Sequence, residues 1–506
     1  MRAQADRLAA AVAAKGTEIC FGIPGGGANL ELIGACERHG IRFVLMRGET
    51  AAVIAAGVYG ELTGRPGLAI VTRGPGLAAS ANGIAQAWLD RQPVIVATDG
   101  TGTAYAHQRI DHAALATPIA KAVEPEPAEA VEIALALPQG PVVVDLGAPT
   151  TVPGTFIGAA APRNGPAIAI GSTVPGTFIG ARRPLVIAGV GARGAEDALR
   201  ELVRGTQIPV LTTYKAKGAI PESWPNAAGL FSGATIEGPL IAEADLIVLV
   251  GVDPVELIPA GWPYPAPVLS LASWPIENDY LPISESRIGR LPGLLGELRL
   301  DGSGWDRSGA SRRARADESI RVATIGLAPH AVIEAVRGAV PEHSVATVDA
   351  GAHMLVAMPL WQVEEPRRCL ISSGLATMGF ALPAAIAAAL TTADPVICLT
   401  GDGGLGMCLA ELETVARLGR DIRIVVLDDA ALSLIEIKQG DGQGGRSAVR
   451  HGAIDFAAVA TAMGVPGTSA QTPAAIAAAV SQRGPSLVHA RIDASGYRAV
   501  LAAVRG

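Results

Sequence analysis

The stretch VICLTGDGGLGMCLAELETVARLGRDIRIVVLDD, Val396 to Asp429, decides the fold. Val396–Thr400 is a short apolar run that ends in Gly401-Asp402-Gly403-Gly404. LAELETVARLG then reads as a helix, and a second apolar run, Ile422–Leu427, ends in Asp428-Asp429. Two apolar strands joined through a helix form a parallel pair buried on both faces. Their carboxyl ends share one edge of the sheet, where open α/β folds bind ligands. Both acidic ends are therefore brought to one place.

The same grammar repeats outward from this stretch. The block from 325 to 506 adds strand candidates at Val345–Asp349, Cys369–Ser372 and Ser486–Ile492. A block from 1 to 150 has strand-like runs at Glu18–Ile23, Arg42–Met46, Leu68–Thr72, Val94–Thr98 and Val142–Asp145, with helical stretches at Thr50–Glu61 and Leu77–Leu89. A block from 183 to 305 opens with PLVIAGVGARGAEDALREL, in which Gly189, Gly191 and Gly194 form a GxGxxG between a strand and a helix. The next strand, Pro209–Tyr214, lacks the acidic residue a ribose would need, so a structural tight turn is expected. The expectation is an α/β protein of three doubly wound parallel-sheet domains.

Two segments join the blocks. TVPGTFIGA occurs at 151–159 and identically at 173–181, and its Pro and Gly content reads as a tolerated surface duplication. The charged stretch DGSGWDRSGASRRARADE, 301–318, reads as a second linker.

Composition excludes several classes. Net charge is −7, and no Lys/Arg run interleaves with aromatics, so no nucleic-acid surface is expected. The apolar segment 380–393 carries Pro383 and is too short to span a bilayer. The five cysteines show no CxxC spacing and read as buried thiols of a reducing cytoplasm. No signal peptide is read at the amino terminus.

The residues themselves suggest a site. Asp402 and Asp429 could face one divalent cation, and hard oxygen ligands with open positions suit Mg²⁺ bridging to a diphosphate. Glycines 401, 403 and 404 let backbone N–H groups approach phosphate oxygens. By itself Gly-Asp-Gly reads as a turn with a capping Asp, and it is the second acidic pair at a matching strand end that favours the metal.

At this point the chain resembles the thiamine diphosphate-dependent decarboxylase and carboligase family, in particular acetolactate synthase-like and benzoylformate decarboxylase-like members. That family carries a GDG followed by a paired amide motif; here the interval from Asp402 to Asp429 fits, but Asp-Asp replaces Asn-Asn. The resemblance implies Mg²⁺ ligation by Asp402, the side chain of Asp429 and the carbonyl of Ala431, with Leu432 and Ser433 beside the cofactor. Ser433 stands where the family often has glycine. ISSGLATMGFALPAAIAA (371–388) is similar to the segment that holds the cofactor bent. It implies Met378 as the wedge between the rings and the Ala376 carbonyl as an acceptor for the exocyclic amine. Alone, Met378 would read as a core methionine. Gly351-Ala352-His353 resembles the loop that touches the diphosphate, with His353 as a donor.

FGIPGGG (21–27), Glu49, LTGRPGLAIVTRGPG (62–76) and ANGIAQAWLDRQPVIV (81–96) follow the family's pyrimidine-domain order. Gly25 and Gly26 then fall against the cofactor, and Glu49 is the carboxyl group that activates its pyrimidine. Alone, Glu49 would be a helix-dipole partner. Gln108 matches a substrate-facing amide, and His107 stands where the family has an aromatic, as a candidate proton-transfer group. KGAIPES (217–223) looks like a middle-domain motif. The Arg-Phe-Asp-Asp-Arg run of acetolactate synthases is missing at 250–264, so no FAD is expected.

The resemblance implies a thiamine diphosphate- and Mg²⁺-dependent carbon–carbon lyase or carboligase acting on a 2-oxo acid, aldehyde or acyloin. It implies a homodimer or homotetramer with sites between subunits, and neither nucleic-acid nor membrane partners. The alternatives are a simple 2-oxo acid decarboxylase and a catalytically silent cofactor-binding homologue.

Overall fold

A computed structural model describes residues 2–100, 110–146, 180–278, 280–439, 442–443 and 445–505. Among them run eighteen strands in three six-stranded sheets, with parallel pairing throughout. The first sheet comprises β1 (Ile19–Ile23), β2 (Arg42–Leu45), β3 (Gly67–Val71), β4 (Val94–Thr98), β5 (Ala122–Val123) and β6 (Val142–Asp145), ordered β2-β1-β3-β4-β6-β5. The third comprises β13 (Val345–Val348), β14 (Cys369–Ile371), β15 (Val396–Gly401), β16 (Ile422–Asp428), β17 (Gly467–Ser469) and β18 (Ser486–Arg491), ordered β14-β13-β15-β16-β18-β17. Renumbered within each sheet, the two orders are identical.

The second sheet differs. Its strands are β7 (Pro184–Ala188), β8 (Val210–Thr212), β9 (Ala227–Leu230), β10 (Leu246–Val250), β11 (Val268–Ala272) and β12 (Ile283–Ile288), ordered β12-β11-β10-β7-β8-β9. That is the dinucleotide-binding order, reversing between β7 and β10. The expected three doubly wound parallel sheets are all present.

The strands form because their residues are apolar on both faces; β3, β4, β7, β10, β11, β15 and β16 are buried along their whole length. The first and third sheets share one core. Between them lie two helices that are apolar all round, Glu49–Thr63, buried from Ala51 to Glu61, and Ala381–Thr391, buried from Ala381 to Ala389. A helix with no polar face needs a partner on each side, which explains the apolar stretch 380–393 without a membrane. Among the described residues no helix is long and apolar enough to cross one. The first of these helices stops at Gly64, whose φ of 69° is the left-handed cap glycine tolerates.

Two features depart from the sequence expectation. The charged stretch 301–318 is not a linker: it contains most of the helix Gly309–Ser319, Trp305 is buried with Nε1 donating to the Pro184 carbonyl, and Arg312 pairs with Glu243. Charge there is spent on ion pairs at the edge of the second sheet rather than on solvation. The two short edge strands β5 and β17 carry too few residues for an apolar pattern to register. The five cysteines are free and buried, as expected. Most of the duplicated TVPGTFIGA segment lies outside the described residues.

Candidate active site

The third sheet reverses its order between β13 and β15, and a cavity of about 230 Å³ opens at their carboxyl ends. Most of its wall comes from four segments: Ala350–Met354 after β13, Ala376 and Met378 after β14, Gly401–Gly404 at the end of β15, and Asp429 with Ala431–Ile435 after β16. Of the residues expected at the cofactor or its cation, Gly351, Ala352, His353, Ala376, Met378, Gly401, Asp402, Gly403, Gly404, Asp429, Ala431, Leu432 and Ser433 all line it.

A buried carboxylate stitches these loops. Asp349, at the end of β13, accepts hydrogen bonds from the N–H groups of Ala350 (3.0 Å), Gly379 (2.9 Å) and Phe380 (3.3 Å) and from the Thr400 hydroxyl (3.0 Å). Burial nonetheless pushes its carboxyl up to about 6. The glycines leave no room for side chains. A Cβ on Gly404 would lie 2.5 Å from Asp349 Oδ2, and one on Gly403 would lie 2.7 Å from Leu432 Cδ2 and 3.3 Å from Met378 Cε. Ala376 (φ 52°) and Ala430 (φ 55°) are non-glycine residues in the left-handed region, strain of the kind that collects at functional sites.

Three carboxylates meet at one end of the cavity. Asp402 is 4% exposed, and its Oδ2 makes no hydrogen bond, with His451 Nε2 3.4 Å away. Burial and the adjacent Asp428 and Asp429 carboxylates push it up to about 7. Asp428 Oδ2 lies 2.7 Å from His489 Nε2; burial opposes its ionisation, but hydrogen bonding with His489 and with Asp402 holds its carboxyl down at about 2. Asp429 accepts a hydrogen bond from the Ser433 hydroxyl, and burial raises its pKa. Ala431 faces Arg450 across an isolated antiparallel bridge. The flanking bonds, His451 N–H to the Ala430 carbonyl and Leu432 N–H to the Val449 carbonyl, make it a non-hydrogen-bonded pair. The Ala431 carbonyl is thus turned away from Arg450.

This donor set suits a hard cation. An orphaned buried carboxylate oxygen, a second carboxylate and a free-facing carbonyl are oxygen ligands short of a full shell. Among the described residues no group of three or more His, Cys, Asp or Glu side chains is arranged to hold a metal unaided. A cation here would need further oxygens, such as those of a phosphate. His353 is buried, and burial lowers its pKa to about 4, so it stands neutral with Nε2 unpartnered. Tyr497, from the helix Tyr497–Arg505, also lines the cavity.

The first sheet presents the same kind of edge. Strand order β2-β1-β3 puts the turn after β2 beside the glycine loop after β1. Glu49 is the first residue of its helix and is half-buried. Gly25 is pressed to 2.0 Å between a would-be Cβ and Thr72 Oγ1, whereas Gly26 has nothing within 4 Å. None of Glu49, Gly25 and Gly26 lines the third-sheet cavity. Within one chain the two expected halves therefore do not meet there. His107 and Gln108 lie outside the described residues.

The second sheet's switch point is filled by protein. The turn Val190–Ala192 after β7 hydrogen-bonds the loop after β10, Gly191 N–H to the Gly251 carbonyl at 2.7 Å. Glu256 accepts from Val190 N–H (2.8 Å), Asp253 N–H (3.2 Å) and the Thr213 hydroxyl (2.5 Å). The GxGxxG is thus a structural turn whose N–H groups are satisfied by the chain itself, Val190 by the Glu256 carboxylate and Gly189 and Gly191 by backbone carbonyls at the carboxyl end of β10.

Comparison with known proteins bears on all three sheets. Residues 2–119 match the N-terminal TPP binding domain of thiamine pyrophosphate enzymes, 177–269 the central domain, and 349–490 the C-terminal TPP binding domain. The chain belongs to the thiamine pyrophosphate enzyme family. Thiamine pyrophosphate and thiamine diphosphate are two names of one coenzyme. Among its relatives is acetolactate synthase of Bacillus subtilis (strain 168), 29% identical over 95% of this chain and 91% of that protein. Two Escherichia coli (strain K12) acetolactate synthase large subunits are similar to the same extent. Isozyme 1 is 27% identical over 95% of this chain and 92% of its own length, and isozyme 2 is 29% identical over 96% and 94%. The chain is a thiamine pyrophosphate-dependent enzyme of the decarboxylase or carboligase kind, acetolactate synthase-like in family.

Sequence reading missed three supporting residues of this thiamine pyrophosphate enzyme. Asp349 was visible only as the last residue of a strand candidate. His489, which holds Asp428, and Tyr497 lie far along the chain from the motif and had no local signal.

Proposed function

We propose that the protein is a Mg²⁺- and thiamine diphosphate-dependent carboligase whose donor is a small 2-oxo acid. What carries the reading is one juxtaposition: the buried, unsatisfied Asp402 oxygen beside Asp429 and Ala431, on a glycine cradle at a sheet switch point. Asp402, Asp429 and the Ala431 carbonyl would hold the cation, and Gly403, Gly404 and the loop Gly351–His353 would receive the diphosphate. Ala376 and Met378 would take the rings. When bound, the coenzyme supplies an electron sink for the bond made or broken next to a carbonyl.

The protein's own groups do the rest. Glu49 would bond to the pyrimidine ring and set its tautomer, a role that suits a half-buried carboxyl at a helix start on the carboxyl edge of the first sheet. Neutral His353 would donate without adding charge. Gln108, and with it His107, would face the substrate. Asp402 and Glu49 belong to different sheets, and Glu49 does not line the cavity of its own chain, which supports a homodimer, or a tetramer of two dimers, with each site completed by a neighbour. Glu256 occupies the middle switch point, which supports a protein that takes no FAD. A cytoplasmic location agrees with five buried free thiols.

Coupling is favoured over simple decarboxylation because the relatives are named for acetolactate, a product that carries a new carbon–carbon bond. The test is product analysis with pyruvate, alone and with an aldehyde acceptor, at saturating Mg²⁺ and cofactor. A hydroxyketone or acetohydroxy acid is expected; free aldehyde as the sole product would overturn ligation.

A further inference from the structure

The loop that carries Ala376 and Met378 is not held by its own domain alone. Asp90, at the end of the first-domain helix Pro75–Leu89, is 1% exposed, and its Oδ1 accepts from the N–H groups of Ser373 and Gly374, both at 3.0 Å. The same helix supplies two further contacts. A Cβ on Gly374 would sit 2.6 Å from Leu89 Cβ, and the Thr377 hydroxyl donates to Asn82 Oδ1 at 3.1 Å. Thr377 N–H in turn donates to Ser372 Oγ at 3.1 Å, and between these anchors Ala376 is held at its left-handed φ of 52°. A residue in that region persists only where its surroundings over-determine it.

The second oxygen of Asp90 reaches the middle domain. Lys215 Nζ lies 3.3 Å from Asp90 Oδ2, 2.8 Å from Glu61 Oε2 and 3.4 Å from the Ile371 carbonyl, the last residue of β14. Arg193 pairs with the other Glu61 oxygen at 2.5 Å, while Gln86 and Gln92 donate to Asp90 and Glu61. Two buried acids and two bases thus cancel. A buried charge is tolerated only when so paired, and with Oδ2 paired in this way Oδ1 of Asp90 is left to the Ser373–Gly374 turn.

We infer that Asp90, neutralised by Lys215, is a positioning residue for the coenzyme's rings: it fixes the turn that aims the Ala376 carbonyl and Met378 into the cavity. The middle domain then contributes to coenzyme geometry without touching the coenzyme. This rests on the reading of Ala376 and Met378 as ring contacts.

The test uses the full chain with Asp90→Ala, Asp90→Asn and Lys215→Met. Each is titrated with thiamine diphosphate and, separately, with inorganic diphosphate, at saturating Mg²⁺, and near-ultraviolet circular dichroism follows the bound coenzyme. Asp90→Ala is expected to weaken thiamine diphosphate about ten- to a hundredfold, as loss of a group behind a binding residue commonly does, and to change the dichroism. Inorganic diphosphate, which needs no ring contacts, should bind as in wild type. Asp90→Asn keeps an acceptor oxygen and should restore most of the affinity; Lys215→Met should shift it in the same direction as Asp90→Ala, by less. The inference is overturned if Asp90→Ala binds thiamine diphosphate with wild-type affinity and dichroism, or if every variant loses both ligands in parallel. Wild-type protein that takes up inorganic diphosphate but no thiamine diphosphate would overturn the coenzyme reading itself, and this inference with it.

Discussion

Glu411 of the third domain accepts hydrogen bonds from the N–H groups of Arg47 and Gly48 of the first, at 2.9 and 3.0 Å through one oxygen, Oε1. Gly48 is the residue before Glu49, so a buried third-domain acid sets where the helix carrying Glu49 begins. Its other oxygen accepts from the Thr414 hydroxyl at 2.7 Å. Glu411→Ala strands two N–H groups and should cost about 2–4 kcal/mol of stability, read by chemical denaturation. Glu411→Gln keeps an acceptor and should cost much less. Equal losses in both would contradict this account.

Glu49→Gln removes the proposed acid without moving its helix. The turnover number should fall about 10²–10⁴-fold, the usual range for a lost acid–base group, with cofactor affinity changed only a few-fold. Exchange of the bound coenzyme's C2 proton, followed by NMR, should slow in step; wild-type exchange in the variant would remove the role assigned to Glu49.

Asp429→Asn tests the second carboxylate at the cation end. Without a cation, Asp402 and Asp429 both repel a diphosphate, so removing one charge should tighten coenzyme binding about tenfold at low Mg²⁺. At saturating Mg²⁺ the difference should disappear. Calorimetric titration across Mg²⁺ concentrations reads both arms. Wild-type binding that is indifferent to Mg²⁺ would exclude a cation there.

Glu256 makes stability depend on pH. Burial raises its carboxyl to about 7 despite its bonds to Thr213, Val190 and Asp253. Between the unfolded value near 4.5 and about 7, the folded state holds more protons than the unfolded one, so stability falls as pH rises through that window. The cost is fully present above it, about 3–4 kcal/mol at most. Glu256→Gln keeps the shape and cannot ionise. It should therefore gain in melting temperature relative to wild type at pH 8 and show little difference at pH 4.5. A pH-independent difference would assign the effect to packing.

The sequence by itself determined the three parallel sheets, because fully apolar runs separated by helices have few other ways to bury both faces. It also determined the cavity wall from Gly351 to Ser433, because strand ends of one parallel sheet must share an edge. Tertiary structure alone decided the rest. Nothing local distinguishes a linker from 301–318, whose charges are absorbed by partners such as Glu243. Nothing local says that Glu256 fills the glycine turn, that His489 pairs with Asp428, or that Asp90 and Glu411 reach across domains. Each of these is a contact between residues more than about sixty positions apart, and a pattern with a period of two or 3.6 residues carries no information about which distant charge will satisfy a buried one.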